Sequence, residues 1–107
     1  MHEKTAECLN ALTTYRSVSA DIARCERAVK CVLDAIQADR LATRLTAAQG
    51  MPDRAESVLS SERLPTPAEI GGLFRRLHHE KMVARRAWMA APADERTALD
   101  FPLTWQR

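Results

Sequence analysis

Residues 11–36, ALTTYRSVSADIARCERAVKCVLDAI, decide the architecture. Within them Ala11, Tyr15, Val18, Ile22, Cys25, Val29, Val32 and Ile36 recur at alternating spacings of four and three. That is the rhythm of one helix laid along another. Leu12, Ala28, Leu33 and Ala35 flank this seam and widen it, which suits a multi-helix bundle better than a narrow two-stranded coil.

Working outward from the seam, Thr5 is placed to cap the helix, with Glu7 in its first turn, and Gly50 followed by Pro52 is placed to stop it. The predicted helix covers residues 5–49 and is about 67 Å long at 1.5 Å per residue. Two weak points are expected to interrupt it: the stretch from Thr13 to Ser19, which competes for backbone hydrogen bonds, and the region after Ile36, where the heptad breaks. After Ile36 the apolar positions become Ala38, Leu41, Ala42 and Leu45, a stripe rotated away from the seam. A short helix is expected over 52–59, with Asp53 and Glu56 near its positive end.

The clearest local signal is Thr66-Pro67-Ala68-Glu69, where Thr and Glu can exchange capping hydrogen bonds and proline sits at the first helical position. It opens a helix over 67–91, on which Ile70, Leu73, Phe74, Leu77, Ala84, Trp88 and Ala91 gather on one side. Gly71 and Gly72 each cost about 1 kcal/mol relative to alanine inside a helix, which points to close approach by a neighbour. Residues 92–107 are read as a last short helix and an apolar tail of Phe101, Pro102, Leu103 and Trp105 that folds back on the bundle.

The fold class is therefore all-α, one domain over 1–107. A long N-terminal helix, a second amphipathic helix and short helices form a bundle completed by dimerisation. The reason for a dimer is geometric: a compact domain of this length has a radius of gyration of about 13 Å, too small to cover a rod of about 67 Å. The N-terminal half of the rod is accordingly expected to pack on another polypeptide, through Tyr15, Val18, Ile22, Cys25, Val29, Val32 and Ile36. The stripe Ala38, Leu41, Ala42 and Leu45 is the expected dock for the helix that starts at Pro67.

Composition narrows the function classes. The 107 residues carry 46% hydrophobic and 28% charged residues, with three glycines and 5% aromatics, values that suit helices better than sheets. Net charge is +2, so any preference for nucleic acid has to come from local clustering. No run of eighteen apolar residues is present, and the opening Met-His-Glu-Lys-Thr lacks the apolar stretch of a secretory signal, so the expectation is a cytoplasmic protein without a membrane partner.

No catalytic, cofactor-binding or metal-binding motif stands out. Cys8, Cys25 and Cys31 fall on one helix, where they cannot bridge one another, and Cys8 and Cys25 read as small apolar residues of the seam. Their spacings match no zinc pattern. Adjacent His78, His79 and Glu80 point about 100° apart on a helix and do not converge on one ligand. There is no glycine-rich phosphate loop, Cys-x-x-Cys or Gly-x-Ser-x-Gly. The expectation is a non-enzymatic protein without cofactors.

A second face of the 67–91 helix carries Arg75, His79 and Arg86, with Arg76, Arg85 and Lys81 toward its flanks and Glu80 the only acid between residues 70 and 90. Such a stripe can track phosphates, or serve only as a solvated surface. With Trp105 in the tail it forms the candidate face for a protein partner or nucleic acid.

The layout of a long first helix with Arg16, a middle helix with Arg54 followed by Val58-Leu59, and a third helix with Leu73-Phe74 resembles the small all-α chorismate mutases. That resemblance implies an intertwined helical dimer, and Arg16 and Arg44 would fill two of the family's cationic slots. Leu33 stands near a mid-helix Arg of the pattern, Ala55 stands where the family has Glu, and Arg85 falls near its Gln. The resemblance therefore implies fold and layout, with a degenerate site. The primary reading is a small helical regulator, adaptor or inhibitor of a type met among accessory and phage proteins, dimeric and binding a protein partner. Nucleic-acid binding is the alternative.

Overall fold

The computed structural model describes residues 1–45 and 52–105. The chain is all-α, and no strand occurs among the described residues. α1 is Glu3–Leu45, α2 Arg54–Ser61, α3 Pro67–Ala90 and α4 Ala93–Arg96, followed by a 3₁₀ turn at Leu103–Trp105. The expected stop of α1 at Gly50 and its last turn to residue 49 lie outside the described residues.

α1 is one unbroken helix of 43 residues, about 64 Å long. Neither expected weak point interrupts it; in the first, Thr13 Oγ1 and Thr14 Oγ1 donate to the carbonyls of Leu9 and Asn10 at 3.0 and 3.1 Å. These threonines bond back within the helix instead of competing with it. The start differs from expectation. α1 begins at Glu3, and His2 caps it, its Nδ1 accepting from the Lys4 N–H at 3.1 Å. Thr5 is no cap but a buried residue, 4% exposed.

Two compact units divide the chain, Met1–Asp21 with Ala68–Arg107, and Ile22–Pro67. The core of the first joins Cys8, Ala11 and Leu12 of α1 to Ala84 and Ala87 of α3 and to Leu99, Phe101 and Trp105 of the C-terminal segment. Small side chains at Cys8, Ala11, Ala84 and Ala87 let the two helices approach closely, and the Cys8 thiol donates to the Ala84 carbonyl across 3.5 Å. The dock for α3 is thus Cys8, Ala11 and Leu12, not the Ala38 to Leu45 stripe, whose Leu41 and Leu45 are 56% and 73% exposed. The cause is the C-terminal segment, whose bulky aromatics gather on the first turns of α1.

The tail folds back as expected. Phe101 stacks on Trp88 at 4.9 Å and meets Trp105 edge-on at 5.5 Å, and Trp105 in turn meets Tyr15 edge-on at 4.6 Å. Four of the five aromatic residues thereby form one cluster. Arg96 holds the end of α3, donating to the carbonyls of Met89 and Ala91 at 2.6 and 3.0 Å while lying over the Trp88 ring. It satisfies carbonyls that the end of a helix leaves open. Glu95 accepts from the His2 N–H at 3.0 Å and ties α4 to the start of α1.

α3 begins at Pro67 as read from its capping sequence. Its apolar stripe is buried toward the C-terminus at Ala84 and Ala91, half-buried at Leu73 and Leu77, and exposed at Ile70 and Phe74, 37% and 54%. Close packing does not explain the glycines. A Cβ at Gly72 would meet nothing within 4 Å, and the nearest group to one at Gly71 is the Arg75 guanidinium at 3.2 Å, the far end of a flexible side chain.

In the second unit, Val32 and Ala35 are the buried apolar residues of α1. α2 runs from 54 to 61, two residues later than expected at each end, and its cap comes from far away in sequence. Asp39 of α1 accepts from the N–H groups of Arg54 and Ala55 at 3.1 and 2.9 Å, while Asp53 makes no side-chain capping bond.

Candidate interaction surfaces

The seam read from residues 11–36 is split by its surroundings. Ala11 and Val18 are buried, 6% and 1% exposed, and Tyr15 is half-buried against Trp105 of the same chain. Ile22 and Cys25 are half-buried and Val32 is buried. Val18 and Val32, enclosed by their own subunit, have no surface left for a second one, and Tyr15 keeps only what Trp105 leaves uncovered. The tail covers the N-terminal end of the seam that was assigned to a partner.

Farther along, Val29, Leu33 and Ile36 remain 42%, 53% and 39% exposed. Their spacing of four and three puts them within about 60° of one another around the helix, one continuous apolar strip. The buried Val32 and Ala35 lie about 60° and 120° to one side of Val29. The intramolecular cover in this unit therefore falls beside the strip and not on it. Leu41 and Leu45 continue exposed apolar surface on a rotated face.

The basic face of α3 is present in part. Arg75, Arg76, His79 and Arg86 are exposed, and Arg85 is half-buried. Arg75, His79 and Arg86 lie within about 40° on the helix, opposite the buried Ala84. Trp105 does not belong to this surface. It is 8% exposed, and Lys81 Nζ lies 5.4 Å from its ring, a contact inside the fold. The bulk that made Trp105 attractive as an interface anchor is what places it in the core. Trp88 is half-buried in the same cluster.

Arg16, one of the two cations of the family resemblance, donates through Nη2 to the Asp100 carbonyl and carboxylate at 3.3 and 3.4 Å. It anchors the tail to α1. Arg44 is exposed in the last turn of α1, where a cation suits the negative end of the helix.

The cysteines occupy three environments. Cys8 is fully buried, Cys25 half-buried and Cys31 exposed, all as free thiols. Burial raises the pKa of Cys8 above the ordinary thiol value. Cys31 shares a groove of about 510 Å³ with Arg24, Arg27, Ala28, Glu62 and Arg63. Sequence reading missed this groove, because Glu62 and Arg63 reach it only through the turn of chain that α2 ends. Lys30, beside it, bonds Asp34 at 2.8 Å, and that contact raises the Lys30 pKa.

No helix among the described residues is long and apolar enough to cross a membrane. No protein-family model matches the chain, and neither a curated protein nor a solved structure matches it.

Proposed function

We propose that the chain is a non-enzymatic protein-association module, a small regulator, adaptor or inhibitor, that pairs with a second copy of itself through the strip Val29, Leu33 and Ile36. The observation that supports this reading is the strip itself: three branched apolar side chains at helical spacing on a continuous helix, left open beside a covered face. Contiguous exposed apolar surface of this kind marks association sites. Two copies of one strip are self-complementary, as a two-fold interface requires. The pairing surface is thereby shorter than the seam read from sequence and lies at its C-terminal end.

Light scattering at micromolar concentration tests the proposal. The wild-type chain is expected at twice its 12.0 kDa mass, and Ile36→Asp at the monomer mass with unchanged helical circular dichroism. A wild-type monomer, or an Ile36→Asp dimer, refutes it.

The exposure of Arg75, His79 and Arg86 opposite the buried face of α3 supports a second reading, nucleic-acid binding. Such binding would weaken steeply with salt. Duplex titrations at two salt concentrations decide it, with Arg75→Gln and Arg86→Gln expected to flatten the salt dependence.

A further inference from the structure

We propose that the groove lined by Arg24, Arg27, Ala28, Cys31, Glu62 and Arg63 binds a small phosphate monoester. Arg24, Arg27, Ala28 and Cys31 stand at i, i+3, i+4 and i+7 on α1 and make one wall. Glu62, the C-cap of α2, and Arg63 beside it make the other. The half-buried Ala28 is short, so the guanidinium groups line open space of about 510 Å³ instead of covering a larger side chain.

The charge of the lining selects the ligand class. Among the lining residues three arginines stand against a single carboxylate, and that cationic excess suits a phosphate monoester dianion better than a monocarboxylate or a single phosphodiester. Guanidinium also presents paired N–H donors in a fork that matches oxyanion geometry. Arg27 lies about 160° around α1 from Val29. The groove thus faces away from the strip proposed for self-association, and its occupancy does not depend on that pairing.

Cys31 supplies a reporter inside the groove, and Cys25 outside it supplies the control. The native protein is alkylated with iodoacetamide in the presence of phenyl phosphate, inorganic phosphate or benzoate, and labelling of each cysteine is read by peptide mass spectrometry. Phenyl phosphate is expected to slow labelling of Cys31 and leave Cys25 unchanged, with inorganic phosphate acting more weakly and benzoate not at all. Arg27→Gln and Arg63→Gln, both exposed positions, are expected to raise the half-protecting concentration about tenfold each, the loss typical of a charge-assisted bond. Arg75→Gln, on α3, is expected to leave it unchanged. Absence of protection at Cys31, equal protection by benzoate, or the same midpoint in the Arg27 and Arg63 variants overturns the assignment. Protection that persists in monomeric Ile36→Asp separates this site from the association reading.

Discussion

Replacing Phe101 with alanine tests whether the C-terminal segment is part of the core or only lies against it. The chain has two phenylalanines, Phe101 at 6% exposure and Phe74 at 54%, so each serves as the control for the other. Phe101 is the middle of the aromatic cluster, stacked on Trp88 and edge-on to Trp105. Truncating a buried phenylalanine costs about 3–5 kcal/mol, which includes the transfer of the ring and the cavity left behind. Each aromatic pair accounts for about 0.5–1.5 kcal/mol within that sum. A domain with total stability of about 5–15 kcal/mol would lose a large fraction of it. Phe74→Ala removes a ring that is already more than half in water, and full burial of such a side chain is worth only about 1.5–3 kcal/mol, so the expected loss is about 1 kcal/mol or less. Urea unfolding at fixed protein concentration, followed by circular dichroism and by tryptophan emission, measures both. Emission is informative because both tryptophans touch Phe101. Equal losses in the two variants, or a loss below about 1 kcal/mol for Phe101→Ala, would show that the folded-back tail does not carry the first unit.

Other measurements address single features. Gly72→Ala is expected to stabilise the chain by about 0.4–1 kcal/mol, since the added methyl meets open space and the unfolded chain loses freedom; a thermal melt that falls instead would reveal a close neighbour of α3. Because burial raises the folded-state pKa of Cys8, the unfolded thiol ionises first as pH rises. Stability is then full below the ordinary thiol pKa and declines as pH climbs from it toward the raised folded-state value. Cys8→Ala is expected to flatten that alkaline slope in pH-dependent urea titrations, and an unchanged slope would contradict it. Asp39→Ala removes the acceptor of the first two N–H groups of α2 and is expected to cost about 1 kcal/mol or more, with Asp53→Ala nearly silent. The reverse order would restore the local cap.

The legible part of this fold was what short-range physics sets. Seam spacing identified α1 as helical, Thr66-Pro67 marked the start of α3, and the concentration of aromatic residues after residue 100 anticipated a tail that returns to the bundle. Contacts between distant residues were not legible. Nothing in the sequence around Asp53 indicates that Asp39 caps α2, and nothing around Arg96 indicates that it closes α3 over the Trp88 ring. The seam carried a different ambiguity: a heptad pattern says that a face is covered without saying by what. From Ala11 to Val18 the cover is the chain itself, and Trp105, read as an exposed anchor, supplies part of it.

The unequal covering of α1 follows from the length of α2 and the face of α1 on which it lies. Over residues 22–45 the helix runs about 36 Å, whereas α2, of eight residues, is about 12 Å long. A helix that short can shield a third of the run, and Asp39 fixes where it sits by holding its first two N–H groups. Its far end, at Glu62 and Arg63, already reaches the groove beside Arg27 and Cys31, so the strip from Val29 to Ile36 stays open because it lies on another face of α1 and not because α2 stops short. Lengthening α2 in place would not help either, because extra turns past Ser61 would displace Glu62 and Arg63 from the groove wall they now form. The same short helix therefore accounts for both proposed surfaces: it leaves the apolar strip open on one side of α1 and brings Arg63 to Arg27 on the other. A variant in which Asp39→Ala frees α2 should, on this reasoning, weaken the anion groove more than self-association, since only the groove takes residues from the end of α2.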